Sequence, residues 1–276
     1  MRTGDVFVLS TPMQWLHARE AASAFEVTSA TVIILLENYR RTDFESLPRP
    51  SSFHHIEYVG LHRLPIGRGK LFKAARIPMQ FAIDRLGLRE ISDVASRLGP
   101  ARRVFLGNGS RNMQRHIAHQ LDAQSLVVLD DGASTLDYAR KRRDDEPVGA
   151  TSVATKIRER LLGMNTRTFE DVTFFTAYDI EPTRDRIISN RYDVLRNDIA
   201  PVRERRDVWL LGQPLIEYGL TTPESFARIL CQTRKFYEGA DSVDDVIYIA
   251  HPAESSQSRR ELLEGMGFGF LPHDGP

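Results

Sequence analysis

Two adjacent carboxylates, Asp130 and Asp131, followed by Gly132, close the apolar run Leu126-Val127-Val128-Leu129. A histidine and a proline, His251 and Pro252, close a second such run, Val246-Ile247-Tyr248-Ile249-Ala250. A carboxylate pair at a strand end can supply a general base, and a glycine beside it permits a tight turn and the close approach of a substrate. A histidine next to a helix start can bind a phosphate together with free backbone N–H groups, or pass a proton to a leaving oxygen. A base and an acid on two different strand ends fit an inverting group transfer. Each motif alone is also what an ordinary strand-to-loop turn or a structural histidine looks like.

Other strand ends add polar groups. Gly212-Gln213-Pro214 follows Val208-Trp209-Leu210-Leu211, and Glu217 stands shortly after. Gly212 admits a ligand near the backbone. Glu217 is a second candidate base, a ligand for sugar hydroxyls, or a helix-start acid favoured by the dipole. Ser10, Thr11 and Gln14 follow the first apolar run, and Asn108 lies in the turn Gly107-Asn108-Gly109-Ser110. Short hydroxyl and amide side chains there suit an acceptor's sugar hydroxyls and equally suit helix capping. No dinucleotide or P-loop fingerprint follows a strand, and no His, Cys or Asp set has metal-ligand spacing.

The elements that must hold these residues alternate. Strands are expected over residues 5–9, 31–36, 55–60 (weaker), 103–106 and 126–129. Helices are expected over 13–25, with Pro12 in the first turn, over 70–98 with interruptions near Pro78 and Gly87, and over 112–121. This βαβα order predicts a parallel sheet with helices on both faces. Residues 133–205 read as less regular, with a helix over 153–162, a strand over 172–178 and a domain junction within 180–206. A second β-α-β follows: strand 208–211, a helix over 223–237 capped by Thr222 and closed by Gly239, strand 246–250, a helix over 258–266 and a short strand over 268–271.

The chain has 276 residues, and its 37 Lys and Arg balance its 37 Asp and Glu. That is room for two domains and lacks the basic excess of a nucleic-acid protein. The clusters Arg140-Lys141-Arg142-Arg143 and Arg203–Arg206 read as solvated loops, with an anionic acceptor or membrane surface as the other reading. The lone Cys231 excludes an internal disulfide framework and reads as a small core or flank residue. The longest aliphatic run, Val32–Leu36, is far short of a membrane span. The expected location is the cytoplasm.

Taken in order, Thr11-Pro12-Met13-Gln14, Leu129-Asp130-Asp131-Gly132, Leu210-Leu211-Gly212-Gln213-Pro214 and Ile249-Ala250-His251-Pro252 resemble the motifs of the bacterial GT-B sialyltransferases. These include lipooligosaccharide sialyltransferases and capsule polysialyltransferases. The resemblance runs from residue 5 to about 271. It implies an α/β, GT-B-like fold of two Rossmann-type domains, an acceptor-side domain over 1–200 and a nucleotide-sugar domain over 201–276. The second is expected to be incomplete, since the family's later donor-phosphate segment does not occur before Pro276.

The implied reaction moves sialic acid, or a related nonulosonic acid, from its CMP donor to a glycan hydroxyl, with no metal or other cofactor. The implied roles are Asp130 as base with Asp131 its neighbour, Glu217 as the competing base, and His251 as acid and phosphate contact. Gly212, Gln213, Pro214 and Pro252 lie with His251 on the donor side; Ser10, Thr11, Gln14 and Asn108 lie on the acceptor side. The partners are a nucleotide-sugar donor and a glycan acceptor, with no nucleic acid; peripheral contact with the inner face of the plasma membrane is a further expectation. Competing readings are another GT-B enzyme using Kdo or a UDP-sugar, and a carbohydrate- or nucleotide-binding protein without turnover.

Overall fold

The computed structural model describes residues 3–37, 39–61, 70–149, 152–181, 184–198, 207–212, 215–216, 219–238, 245–250, 254 and 257–271. The chain divides into two compact units, Met1–Asp198 and Ile199–Pro276. In the first, β1 (Thr3–Leu9), α1 (Pro12–Ala24), β2 (Ala30–Leu36), α2 (Arg41–Glu45), β3 (Phe53–Gly60), α3 (Lys70–Leu98), β4 (Ala101–Leu106), α4 (Asn112–Gln120), β5 (Ser125–Leu129), α5 (Ala133–Arg143), α6 (Val153–Leu161), β6 (Thr173–Thr176), β7 (Arg186–Ser189) and α7 (Asp193–Asp198) follow in order. The strands form one sheet in the order β3-β2-β1-β4-β5-β6-β7, and every pairing is parallel.

The central strands are continuous apolar runs because both faces are covered. Side chains alternate between faces. Val6, Val8, Val104, Leu106 and Val128 pack with Ile91 of α3, Ile117 of α4 and Tyr138 of α5. Phe7, Leu9, Phe105, Val127 and Leu129 pack with Trp15 and Ala18 of α1 and Phe44 of α2. One charge interrupts β1: Asp5 is buried between Arg102 and Arg103, whose Nε atoms lie 3.2 and 2.9 Å from Oδ1. Burial pushes its carboxyl up, but the hydrogen bonds of Arg103 and Arg102 outweigh it and hold it below the usual carboxylate range.

Several expectations are corrected. α3 runs unbroken through Pro78 and Gly87. Gly87 is not a break but a close approach, since a Cβ there would lie 3.0 Å from Leu61 Cδ2. α5, β7 and α7 occupy the stretch read as irregular. The cluster Arg140–Arg143 is the last turn of α5, not a loop. Arg140 and Lys141 pair with Asp137, Arg143 with Asp144, and Arg142 is buried against Asp185. The second cluster, Arg203–Arg206, lies outside the described residues.

The second unit has β8 (Val208–Leu211), α8 (Pro223–Glu238), β9 (Val246–Ile249), α9 (Gln257–Gly265) and β10 (Gly269–Leu271), with its strands parallel in the order β10-β9-β8. Phe226 and Leu230 of α8 and Leu263 of α9 pack on Val246 and Tyr248. Cys231 is exposed rather than packed. Among the described residues no helix is long and apolar enough to cross a membrane.

Candidate functional site

Strand order reverses between β1 and β4, because β2 and β3 lie on one side of β1 while β4 and β5 lie on the other. In an open α/β sheet this switch point, at the carboxyl ends of the strands, is where ligands bind. Ser10 and Thr11 leave β1 there, and Gly107–Ser110 leave β4. Asp130 and Asp131 follow β5, one strand further on.

A hydrogen-bond network joins these turns. Thr11 caps α1, its Oγ1 accepting from the Gln14 N–H at 3.2 Å. Ser10 N–H donates to Gln14 Oε1 at 2.7 Å, so the Gln14 amide must point its NH2 the other way, where it donates to Asp131 Oδ1 at 2.9 Å. Ser110 N–H donates to Asn108 Oδ1 at 2.8 Å. The Asn108 NH2 therefore turns to Asp131 Oδ2 and to Ser134 Oγ. Gln114 ties the group together, donating to Ser10 Oγ at 2.9 Å and accepting from the Asn108 N–H at 2.8 Å. Gly107 is required, since any Cβ there would overlap the Gln14 amide.

The two carboxylates differ. Asp131 is part-buried, with one amide donor on each oxygen and its own N–H donating to Thr135 Oγ1 at 2.8 Å. Asp130 is 2% exposed. Its Oδ2 accepts from the Ala177 N–H at 2.8 Å, and its Oδ1 has no hydrogen-bond partner among the described residues. Ser10, Gln14 and Asn108, expected to face sugar hydroxyls, are themselves buried. They use their polar atoms on one another and on Asp131. Their place is behind the carboxylate, orienting it.

Sequence reading missed His17, on α1 behind the pair. It is 3% exposed, its ring 5.6 Å from that of Tyr192. Asn190 Oδ1 accepts from the Tyr192 N–H at 3.0 Å, so Asn190 Nδ2, 3.3 Å from His17 Nδ1, is the donor and His17 Nδ1 the acceptor. Burial pushes the His17 imidazole below its ordinary value, against the opposing fields of Asp130, Asp131 and Glu20. His116, buried on α4 and accepting the Asn165 N–H at Nδ1 at 3.0 Å, is also lowered by burial and by His119.

Both histidines are held neutral, so the unfolded chain binds more protons than the folded one once pH falls below about 6.5. Stability complete above that pH is lost as pH falls toward the lowered folded values. The loss approaches about 1.4 kcal/mol per pH unit for each histidine. Urea midpoints at pH 7 and pH 5 are therefore expected to differ more for the wild type than for His116→Asn, whose amide oxygen can accept the Asn165 N–H. Equal differences would rule this out.

Beside the network lies a cleft of about 640 Å³, lined in part by Glu37, Ser110, Arg111, Ser134, Asp137 and Glu159. Three ion pairs lie within the wall, Arg111 with Glu37 at 3.2 Å, Lys141 with Asp137 at 2.6 Å, and Arg158 with Asp84; the fourth acid, Glu159, accepts from Asn112 and Thr166. Leu61, Ile83, Met113 and Leu162 supply apolar surface. Ser134 belongs to both cleft and network: it lines the cleft and accepts from the Asn108 amide that also donates to Asp131. A wall of this size that mixes apolar surface with hydroxyl, amide and mostly paired charged groups suits a polyhydroxyl group.

In the second unit Gly212 is buried at the end of β8, its N–H donating to Ile249 O at 2.7 Å. On β9, Tyr248 Oη donates to Glu254 Oε1 at 2.7 Å, a polar pair that sequence reading did not single out. Gln213, Pro214, Glu217, His251 and Pro252 lie outside the described residues. Among the described residues no cluster of three or more His, Cys, Asp or Glu could hold a metal ion.

No family model matches this chain, and no curated protein matches it. Solved structures do. UGT89C1 of Arabidopsis thaliana, complexed with quercetin, superposes with a TM-score of 0.50 at 15% identity, over 100% of this chain and 70% of that one. TcCGT1 in complex with UDP gives 0.50 at 10% identity, over 100% and 74%. The sucrose-phosphate synthase of Thermosynechococcus elongatus gives 0.43 at 10% identity, over 98% and 70%. At such identities the likeness concerns the fold. Two parallel α/β units, the larger seven-stranded, make this an α/β chain of the GT-B glycosyltransferase fold.

Proposed function

We propose that the chain is an inverting glycosyltransferase that moves sialic acid, or a related nonulosonic acid, from a CMP donor to a glycan hydroxyl without a divalent metal. The observation that carries a transferase reading is Asp131. It is a part-buried carboxylate at a strand end, oriented by Gln14 and by Asn108, whose amide also reaches Ser134 in the wall of the neighbouring cleft. Asp131 takes the proton of the acceptor hydroxyl as that oxygen bonds the anomeric carbon. The bond from that carbon to the CMP phosphate oxygen breaks, and the electron pair leaves with CMP. His251 contacts the departing phosphate, and its proton offsets the developing charge. Asp130, closed from solvent, keeps the β5 turn in place through Ala177 rather than meeting the acceptor.

The CMP donor rests on the four ordered motifs. A UDP-sugar donor is the second reading, favoured by the likeness to the TcCGT1 structure that holds UDP. Calorimetric titration with CMP and UDP separates them. Selective CMP binding, weakened about tenfold or more in His251→Ala as a phosphate contact is lost, is the expected result. Selective UDP binding would replace the sialyltransferase reading with the second. Binding of neither nucleotide would overturn both.

A further inference from the structure

The outer face of α6 presents exposed apolar side chains. Ser152 caps this helix, its Oγ accepting from the Thr155 N–H at 3.1 Å, and no residue of the helix is buried. Val153, Ile157 and Leu161, four residues apart, are 73%, 55% and 71% exposed. At that spacing they form one continuous apolar stripe. The opposite face, with Thr155, Glu159 and Leu162, lines the cleft. The only acid on α6, Glu159, is on that inner face, where it accepts from Asn112 and Thr166.

The cations flank the stripe. Lys156 and Arg160 are exposed on one margin and have no ion-pair partner among the described residues; Arg158 lies on the other, paired with Asp84. The chain as a whole carries no net charge, so this excess is local.

We infer that α6 docks the protein on an anionic lipid surface, with Val153, Ile157 and Leu161 entering the headgroup boundary and Lys156 and Arg160 on the lipid phosphates. An apolar stripe edged by Lys and Arg is the pattern of a helix lying in a membrane interface. Three side chains are too few for the roughly 1,200 Å² or more that a stable protein interface buries. Such a stripe is adequate for reversible lipid contact, which charge attraction strengthens. Docking by this face sets the cleft, on the other side of α6, beside the lipid surface.

The test is co-sedimentation of the full chain with vesicles of phosphatidylcholine mixed with phosphatidylglycerol, and with phosphatidylcholine alone. Binding to the mixed vesicles is expected, weakening as salt rises. Lys156→Gln and Arg160→Gln each weaken it about fivefold. The pair Ile157→Gln and Leu161→Gln abolishes it, with an unchanged thermal melt because α6 buries none of its residues. No binding to mixed vesicles, or binding that all these variants leave intact, would overturn the inference. So would a concentration-dependent dimer, seen by ultracentrifugation without lipid, that the Ile157→Gln and Leu161→Gln pair abolishes. The stripe would then cover a second copy of the chain.

Discussion

Asp131→Asn is expected to lower kcat for glycosyl transfer by about 10²–10⁴-fold, the contribution of a positioned general base. Donor KM should change little, because the substitution leaves the second unit untouched. The variant also has a structural cost that must be measured beside the rate. Gln14 Oε1 is committed to the Ser10 N–H and Asn108 Oδ1 to the Ser110 N–H, so neither amide can flip. An asparagine at 131 turns one NH2 against a donor, a mismatch of about 1–3 kcal/mol. A rate loss that persists when rates are referred to folded protein belongs to the base.

Asp130→Asn separates the two carboxylates. Asp130 touches the Ala177 N–H and is closed from solvent, so its replacement should reduce stability more than it reduces kcat. The opposite result, near-normal turnover in Asp131→Asn and its loss in Asp130→Asn, would return the base role to Asp130.

The sheet was legible because its central strands are buried on both faces, which forces unbroken apolar runs such as Val32–Leu36 and Leu126–Leu129. The position of the carboxylate pair followed from the strand that ends at Leu129. What could not be read is what depends on partners distant in sequence. α7 starts where Glu20 on α1 accepts the N–H groups of Val194 and Leu195 at 3.0 and 2.7 Å, a cap 174 and 175 residues away. The buried positions of α5 are Thr135, Tyr138, Ala139 and Arg142. Their spacing is helical, but two of the four are polar, so hydrophobic periodicity did not reveal them. Ser10, Gln14 and Asn108 were read by chemistry as ligands for hydroxyls. Their buried partners, which sequence does not show, make them the support of Asp131 instead.

Arg142→Ala is expected to destabilise the first unit by about 3–5 kcal/mol, the cost of breaking a buried ion pair from one side. The guanidinium holds Asp185 with both arms, Nε to Oδ2 at 2.7 Å and Nη2 to Oδ1 at 2.6 Å. It also donates to the carbonyls of Phe169 and Glu170 at 2.8 and 2.9 Å. The two side chains are 2% and 0% exposed. Burial alone would lower the Arg142 pKa, and the hydrogen bonds and field of Asp185, with help from Tyr138, more than restore it.

Removing the arginine takes the guanidinium from a buried carboxylate and two donors from the chain that leads into β6, so α5 and β7 lose their link. Arg142→Lys keeps the charge without the planar fork and should fall between wild type and Arg142→Ala. Arg142→Met with Asp185→Leu removes both charges at once. That pair should be less destabilised than either single variant, since no lone charge stays buried. Urea denaturation of the four proteins decides it. A loss under about 1 kcal/mol in Arg142→Ala would mean that the pair adds no more than an exposed one. The surviving folded fraction should still turn over at the wild-type kcat, because no atom of this pair reaches Asp131, and this distinguishes a scaffold defect from loss of the base.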